Sequence, residues 1–458
     1  MKKNEQNRSV IHKSRIRLSP TQIIALVFAG LILLGAVLLS LPAASRSGSS
    51  CGFFPALFTS TSATCVTGLV LYDTWTQWSG CGQTVILCLI EIGGLGFMSA
   101  ASMVVFLLRK KAGLKQRMVM AQALSLNDMD GVVQMQKLVI LGSLRVQAAG
   151  ALILFLRFLP EYGARQAAIW GVFHSVSAFC NAGFDIFGSI APGQSLIPFN
   201  NDPVVCLTLA FLITVGGLGF FVWEEVVRVR KFKKFSVYTK LVLLATMFIL
   251  VAGTGLVLLL EWDNPNTLGN MPLGQKILNA FFQTATLRTA GFAALDQGQL
   301  TDAAKAVSMV IMFIGGSSGS TAGGLKTVSF VVLLMFIWSK ARGRSHVHAF
   351  RRSIPAEKAT DAMSIAGIML VLALFGGIFL SATSSVGFLD GLFESVSALA
   401  TVGLTTGITP AMSTASQVLI IAFMYFGRVG ILTISLGFLM GNRVEERIRY
   451  ADTNLLIG

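Results

Sequence analysis

Four glycines occupy the same local pattern along this chain of 458 residues. Each lies ten residues after a phenylalanine and directly before a leucine or a phenylalanine. Successive copies are about 110 residues apart, so the pattern indicates four repeats. The pairs are Phe58 and Gly68, Phe173 and Gly183, Phe281 and Gly291, and Phe393 and Gly403.

The chemistry that these turns share belongs to the main chain, because the side chains before each glycine differ. Glycine accepts positive φ and puts no side chain in the path, so the carbonyl oxygens of four facing turns can replace the water around a cation. The alternative is that the glycines are helix–helix packing points. The predicted pore-lining residues are Cys65, Val66, Thr67 and Gly68; Cys180, Asn181, Ala182 and Gly183; Arg288, Thr289, Ala290 and Gly291; and Ala400, Thr401, Val402 and Gly403.

Composition indicates an integral membrane protein. Hydrophobic residues make up 54% of the chain, charged residues only 12%, and the mean hydropathy is +0.72, whereas soluble domains average about 25% charged residues. The net charge of +15 does not indicate nucleic-acid binding, because the charges cluster between apolar runs of the length that spans a bilayer. The cysteine and histidine spacings indicate no metal site, although Cys51 and Cys81 fall in loops on one side and could pair.

Each repeat contains a spanning helix, a re-entrant half-helix that ends at the glycine, and a second spanning helix. The predicted fold is an all-α integral membrane protein with eight transmembrane helices and four re-entrant half-helices around one central pore. The second spans are predicted at 83–108, 204–227, 303–338 and 416–440. The predicted units are a basic amino terminus (1–20) and repeats at 21–117, 118–234, 235–352 and 353–458.

Basic clusters fix the predicted orientation. They lie between repeats or at the chain ends, at 2–17, 109–117, 228–234, 340–352 and 443–449. Such clusters mark the cytoplasmic side, so both termini are predicted inside and the glycine turns outside. The apolar run at 21–41 is long enough to be a retained first span rather than a signal peptide. Asp73, Asp185 and Asp296 follow three of the turns, where they would attract cations to an outer vestibule or act as ordinary turn residues.

The second span of repeat 3 contains the sequence GGSSGSTAGGLK at 315–326. Each glycine costs a helix about 1 kcal/mol against alanine, so this span is predicted to break at mid-membrane, on the cytoplasmic side of Gly291. A flexible polar loop there can close the pore or move aside, which predicts a gate. Its residues are Gly315, Gly316, Ser317, Ser318, Gly319, Ser320, Thr321, Gly323, Gly324 and Lys326.

Two other interpretations fit this loop less well. Residues 316–319 fit the GxSG motif of an intramembrane serine protease, but the serine would need a histidine base. His174 is the one histidine near a membrane segment, and it lies too far from a mid-span serine. A phosphate-binding loop requires lysine directly after its last glycine, and here Leu325 intervenes.

Arg428 replaces a glycine of the other second spans. A charge at mid-membrane costs about 2.5–3.5 kcal/mol, so Arg428 is predicted to face the pore as an electrostatic barrier or to bind carbonyl groups of the gate. A salt bridge with Glu91 or Glu394 is the alternative. Arg288 is predicted to brace the filter from behind.

Over residues 20–458 the chain resembles the Trk/Ktr/HKT superfamily of potassium transporters, and within it the membrane subunits of bacterial Ktr systems. The fourfold plan and the ending IRYADTNLLIG carry the resemblance. It implies that Gly68, Gly183, Gly291 and Gly403 are selectivity-filter residues for K+. It also implies a gating loop in repeat 3 and an arginine below the filter. Plant relatives that transport Na+ have serine at the first filter position, so Gly68 favours K+.

The resemblance further implies a homodimer in the bacterial plasma membrane, docked on a cytoplasmic KtrA-like RCK ring that binds ATP or ADP. The chain itself is expected to be no enzyme, to bind no cofactor besides the transported K+, and to contact membrane lipids but no nucleic acid. Its expected function is K+ uptake, with coupling to Na+ left open. A Na+-selective or unselective cation transporter is the alternative.

Overall fold

The computed structural model describes residues 20–96, 132–344 and 346–430. The basic amino terminus, the inner ends of the second spans of repeats 1 and 4, the clusters at 109–117 and 443–449 and the terminal IRYADTNLLIG lie outside the described residues. The predictions for those segments therefore stay predictions.

The described chain is almost entirely helical, with one short hairpin of strands β1 (Val347–Ala349) and β2 (Arg352–Ile354). Each repeat contributes a long first helix, a half-helix that leads to a glycine turn, and a helix that follows the turn. The helices are α1 (Pro20–Ser40), α2 (Phe53–Thr64), α3 (Thr74–Gln77), α4 (Gly80–Leu95), α5 (Val132–Phe179), α6 (Pro203–Leu218), α7 (Phe220–Val229), α8 (Val237–Glu261), α9 (Leu273–Thr286), α10 (Asp302–Phe313), α11 (Thr327–Ala341), α12 (Ala356–Ser384), α13 (Phe388–Leu399) and α14 (Thr414–Val429).

Four of these helices are long and apolar enough to cross a membrane, at Gln22–Ser40, Gln136–Phe179, Val237–Glu261 and Ala356–Ser384. They are the first helices of the four repeats. A fifth span results if α6 and α7, which meet at a bend of 94°, are one broken span. Large apolar side chains on these helices are exposed, for example Phe248 at 72% and Leu259 at 78%, which suits helices that face lipid. The count of eight spans stays a prediction.

Helix α5 contains both the long first helix of repeat 2 and its half-helix, which we name the second pore helix after its predicted role. The chain bends at Gly163 (φ 75°, ψ 163°), a conformation that is not helical. After this bend, residues 164–179 form the second pore helix. Around the bend, the rings of Phe158 and Trp170 pack edge to face at 5.5 Å. Aromatic packing therefore fixes the angle at which the pore helix re-enters the protein.

Three helices that follow the turns stop at matching glycines. Gly96, Gly219 and Gly430 end α4, α6 and α14 with φ of 81°, 92° and 95°. In repeat 3, α10 ends at Phe313 and the glycine-rich loop follows. The helix predicted at 204–227 is therefore not continuous, because it is broken at Gly219. The Phe220 N–H donates to Gly319 of the loop at 2.9 Å.

Cys51 and Cys81 are both free thiols. The Cys51 thiol lies 3.8 Å from the carbonyl oxygen of Leu39, to which it donates, and Cys81 is exposed in α4. The disulfide that the sequence left open is not formed in the structure.

Candidate functional site

The four glycine turns close into a ring. Each glycine packs against the carbonyl group of the residue that precedes the glycine of the next repeat, and the fourth repeat packs on the first. A Cβ atom on Gly68 would lie 2.6 Å from the carbonyl oxygen of Ala182, closer than real Cβ atoms come. None of the four positions has room for a side chain. The contacts are Gly68 with Ala182, Gly183 with Ala290, Gly291 with Val402, and Gly403 with Thr67.

The residue two positions before each glycine has a left-handed backbone. This conformation is unusual for any residue except glycine, and it is an outlier for β-branched valine or threonine. Such strain costs about 1–3 kcal/mol per residue and clusters at functional sites. Its recurrence at four matching positions shows that the turns share one built conformation. The φ values of these residues are 58° at Val66, 59° at Asn181, 68° at Thr289 and 52° at Thr401. The glycines two positions later have φ values of 103° at Gly68, 69° at Gly183, 85° at Gly291 and 89° at Gly403.

Serine hydroxyl groups hold three of these turns. The Ser62 hydroxyl accepts a hydrogen bond from the Gly68 N–H at 3.0 Å, and the Ser397 hydroxyl accepts one from the Gly403 N–H at 3.1 Å. In repeat 2, Ser177 donates instead to the carbonyl oxygen of the residue after the glycine at 2.7 Å. Repeat 3 has alanine at the matching position, so its turn must be held differently.

A second set of serines ties the pore helices to the first span of the same repeat. Each stands two residues after the phenylalanine of the repeat pattern and donates its hydroxyl to a carbonyl oxygen of that span. The bonds are Ser60 to Ile32 at 2.7 Å, Ser175 to Gln147 at 2.6 Å and Ser395 to Ala373 at 2.9 Å. The role of these serines is not among the sequence-based predictions, although FxSxSA recurs in repeats 1, 2 and 4.

The turn of repeat 3 is held by its neighbours. Asn181 of the second turn donates to the carbonyl oxygen of Arg288 at 3.2 Å and to the hydroxyl of Thr289 at 3.3 Å. The Arg288 side chain is 3% exposed, and its guanidinium lies 3.5 Å from the hydroxyl of Thr327 at the start of α11. Arg288 therefore lies behind the turn, next to the end of the glycine-rich loop.

His174 holds the second turn through both ring nitrogens. Its Nε2 accepts from the Ile186 N–H at 3.2 Å, so its Nδ1–H donates to the Trp170 carbonyl oxygen at 2.7 Å. The ring also stacks on Phe187 with 3.8 Å between centroids. Both ring nitrogens are therefore taken up by main-chain groups, and neither bonds to Ser318, the serine of the GxSG sequence. The serine–histidine pair of a protease is thus not formed.

A cavity of about 660 Å³ lies over the glycine ring. All four ring glycines line it, together with Asp73, Asp185 and Asp296. Each of these carboxylates also accepts a main-chain N–H bond in its own loop, at 2.8, 3.2 and 2.9 Å respectively. They are therefore turn residues and vestibule residues at once. Burial, and secondly the charge of Asp73, raises the pKa of Asp185 to about 7.

The glycine-rich loop, residues 314–326, is fastened to repeat 2. The Ser317 N–H donates to the carbonyl oxygen of Gly217 at 3.0 Å. Thr321 donates twice, from its N–H to Gly216 at 3.3 Å and from its hydroxyl to Phe179 at 3.1 Å. Phe179 ends the second pore helix, so the loop lies directly against the base of that helix.

The loop also contacts the segment that continues toward the next repeat. Besides the bond from Phe220 to Gly319, the Tyr238 hydroxyl at the start of α8 donates to the carbonyl oxygen of Ser318 at 2.9 Å. These bonds join the loop to both ends of the connection between repeats 2 and 3.

On its other side the loop touches the fourth turn. A Cβ on Gly323 would collide with the Thr401 hydroxyl and would lie 3.0 Å from the carbonyl oxygen of Ala400. Lys326 does not reach away from the loop, because its ammonium donates to the Ala322 carbonyl oxygen at 2.8 Å. The loop therefore fills the space between the second and fourth turns.

Arg428 joins three repeats through carbonyl groups. One guanidinium nitrogen donates to Thr321 of the loop, and another donates to Gly93 and to Gly94, the latter at 2.9 Å. No carboxylate among the described residues lies within 4.0 Å of Arg428. The arrangement is the predicted carbonyl contact and not a salt bridge.

The two carboxylates named as alternative partners have other roles. Glu91 accepts from the Gln147 amide at 2.9 Å and from the Cys180 thiol at 3.3 Å. Glu394 accepts from the Thr409 hydroxyl. Both brace pore helices or turns, and neither role is evident from the amino-acid pattern alone. The His, Cys, Asp and Glu residues of the described ranges form no group of three that could hold a metal ion.

Known proteins with this organisation are cation transporters. A family model described as TrkH, cation transport protein, matches residues 19–445. The chain is 40% identical over 443 residues to Ktr system potassium uptake protein B of Bacillus subtilis (strain 168), covering 97% of this chain and 98% of that protein. It is 38% identical over 455 residues to the potassium/sodium uptake protein NtpJ of Enterococcus hirae, covering 98% and 100%.

The fold has a solved counterpart. The crystal structure of the potassium transporter TrkH from Vibrio parahaemolyticus superposes with a TM-score of 0.73 at 18% identity, covering 93% of this chain and 86% of that one. At that identity the match concerns the fold. Together with the family model and the relatives, it shows that this chain is a membrane subunit of the TrkH family of cation transport proteins.

Proposed function

We propose that this chain forms the K+ pathway of a bacterial potassium uptake system. The observation that carries the proposal is the glycine ring, in which four turns of matching conformation bring carbonyl groups together without side chains between them. Rings of backbone carbonyls replace the hydration shell of K+ in selective pores. The names of two relatives that match nearly the whole chain also refer to potassium uptake.

In this proposal a cation passes from the acidic vestibule through the ring to the glycine-rich loop, which acts as the gate. The membrane potential drives it with about 2.3 kcal/mol per charge for each 100 mV. The gate assignment is supported by the loop's position against two turns and by the contact of Arg428 with Thr321. Arg428 places a positive charge on the path below the ring, where it is an electrostatic barrier to the cation. Movement of the loop would lower this barrier.

The proposed regulatory partner is a KtrA-like RCK ring that carries ATP or ADP. The ring would lie beneath a homodimer of this chain, whose termini would both be in the cytoplasm. The basic segments at 109–117, 228–234 and 340–352 are the proposed docking loops. Arg228 supports this proposal, because its side chain is 71% exposed although it pairs with Glu224. The second proposed role of these segments is to contact lipid headgroups.

The proposal is tested by Rb+ and K+ uptake in a bacterium without its own K+ uptake systems, with and without the RCK partner. We expect rescue of growth at low K+ and measurable Rb+ uptake. Gly291→Ala should abolish both, because its Cβ would meet Val402 and its φ is 85°. Gly255→Ala is the matched control, since a Cβ there meets nothing within 4 Å. Membrane levels are measured for each variant, and full uptake by a well-expressed Gly291→Ala would refute the ring as the pathway.

A second candidate is a pathway that also carries Na+. It is favoured by the relative named as a potassium/sodium uptake protein. The two candidates are separated by Na+ competition of Rb+ uptake in wild type and in Gly68→Ser. A K+-selective ring predicts weak Na+ competition that strengthens in the variant, whereas equal competition in both would favour the mixed pathway.

A further inference from the structure

A second cavity, of about 790 Å³, lies away from the ion pathway between repeats 1 and 2. Its walls are the start of α4, the start of the second pore helix, the loop after α1 and helix α3. Cavities of this size hold small molecules. We refer to it as the lateral cavity.

One end of the lateral cavity is basic. Arg46 and Arg165 both line it, and among the described residues neither has a carboxylate within 4.0 Å. The Arg46 guanidinium lies 4.2 Å from the centroid of the Trp75 ring, which holds it in place. The amide nitrogen of Gln166, also in the wall, is buried and has no hydrogen-bond acceptor in the described structure. Two unpaired cations and a free N–H group therefore converge on the same space.

The walls become apolar away from this end. Helix α4 begins at Gly80, seven residues after the vestibule residue Asp73, and the second pore helix begins after Gly163. Both therefore start on the side of the vestibule and run inward. Along α4 the lining changes to Leu87, and along the pore helix it changes from Arg165 to Ile169 and Val172. Ile169 and Val172 are 42% and 49% exposed.

We propose that the lateral cavity binds an anionic phospholipid of the leaflet on the vestibule side. The two guanidinium groups and the Gln166 amide would hold the phosphate and its headgroup, and an acyl chain would cover Leu87, Ile169 and Val172. From the vestibule side inward, the wall of the lateral cavity changes from basic and polar to apolar. A phospholipid has the same order, with its charged headgroup at the surface and its acyl chains inside. A second copy of the chain fits less well, since an isologous contact repeats the same patch on both subunits and would bring the arginines together.

The proposal is tested by native mass spectrometry of the detergent-purified full chain mixed with equal amounts of phosphatidylglycerol and phosphatidylcholine. We expect wild type to retain phosphatidylglycerol preferentially. In the variant Arg46→Gln/Arg165→Gln, the preference for phosphatidylglycerol should fall by roughly fivefold for each guanidinium removed. This factor corresponds to about 1 kcal/mol per basic residue. Lys137→Gln/Lys358→Gln removes the same charge from two exposed positions outside the basic segments and should keep the preference for phosphatidylglycerol.

A second variant tests the apolar part. Ala168→Trp would fill the lateral cavity, which Ala168 lines, and we expect it to lower retention with both arginines present. Equal retention of the two lipids by wild type, or an unchanged preference in the Arg46→Gln/Arg165→Gln variant, would overturn the proposal. Displacement of the lipid by inorganic phosphate at matched concentration would overturn it in favour of a free-anion site. A change of subunit stoichiometry in the arginine variant, without a change in lipid, would overturn it in favour of a contact between copies.

Discussion

Arg428, near the end of α14, donates a hydrogen bond to the main-chain oxygen of Thr321 in the glycine-rich loop. The same guanidinium reaches the carbonyl groups of Gly93 and Gly94 at the end of α4. One side chain of repeat 4 therefore connects the loop of repeat 3 to the helix end of repeat 1. Arginine suits this position because its planar fork presents several donors in fixed directions.

Removal of this contact should favour the open loop. Hydrogen bonds to charged groups contribute about 1.5–3 kcal/mol, so we expect Arg428→Ala to raise Rb+ uptake in the absence of the RCK partner by roughly tenfold. Arg428→Lys should give an intermediate rate, because lysine lacks the fork. The measurement is Rb+ flux into proteoliposomes, with Arg228→Ala, on an exposed face of α7, as the control. Unchanged flux in Arg428→Ala would contradict the role of Arg428 in closing the pathway.

The Thr321 hydroxyl should stabilise the closed loop through its bond to Phe179. Thr321→Val keeps the shape of the side chain but loses the donor, whereas Thr321→Ser keeps the donor. We expect higher flux without the partner in the valine variant and wild-type flux in the serine variant. The same proteoliposome assay measures both, and equal behaviour of the two variants would show that the hydroxyl has no part in closure.

The hydroxyl groups of Ser62 and Ser397 should maintain the selectivity of the ring. Without its acceptor, the N–H of Gly68 or Gly403 loses a hydrogen bond worth about 1 kcal/mol, and the turn gains freedom to relax. We expect Ser62→Ala and Ser397→Ala to transport Rb+ with stronger inhibition by Na+. The control is Thr84→Ala, whose hydroxyl bonds only within α4. Na+ inhibition equal to that of wild type would indicate that the turns do not need these bonds.

Asp185 should make cation capture depend on pH. Since its pKa is raised to about 7, the carboxyl is mostly neutral at about pH 6 and mostly charged at about pH 8. The added negative charge raises the local cation concentration. We expect the half-saturating Rb+ concentration of wild type to fall as the pH rises over this range.

In Asp185→Asn the half-saturating concentration should stay near its low-pH value at every pH. Asp302, in the first turn of α10, lies outside the vestibule. The Asp302→Asn variant should therefore show the same pH dependence of the half-saturating Rb+ concentration as wild type. If the half-saturating Rb+ concentration of Asp185→Asn still fell as the pH rose, the pH dependence would belong to another titrating group.

The glycine ring was predictable because its signal is local and repeated. A fixed spacing from Phe58 to Gly68 and its three counterparts needs no knowledge of the fold, and the break at 315–326 follows from composition alone. What the sequence did not reveal depends on partners that are distant in the chain. Ser175 bonds 28 residues back, and Arg428 bonds to carbonyl groups more than 100 residues away.

The bend at Gly219 is the most instructive difference. Its sequence, Gly216 to Gly219, repeats that of Gly93 to Gly96, and the sequence alone predicts that both lie within spanning helices. In the structure the helix can turn by 94° there because Phe220 finds an acceptor in Gly319, outside its own helix. A glycine permits such a bend, but a tertiary contact decides whether it occurs.

The closure of the fourth turn on the first has a consequence for how this pore can vary. A channel assembled from four identical subunits changes all four quadrants with every substitution. Here the four quadrants are encoded separately in one chain, so Asn181, Arg288 and Arg428 each occur once around the axis. In the proposed pathway, the gate therefore needs a glycine-rich loop in only one quadrant and the arginine that contacts it in only one other.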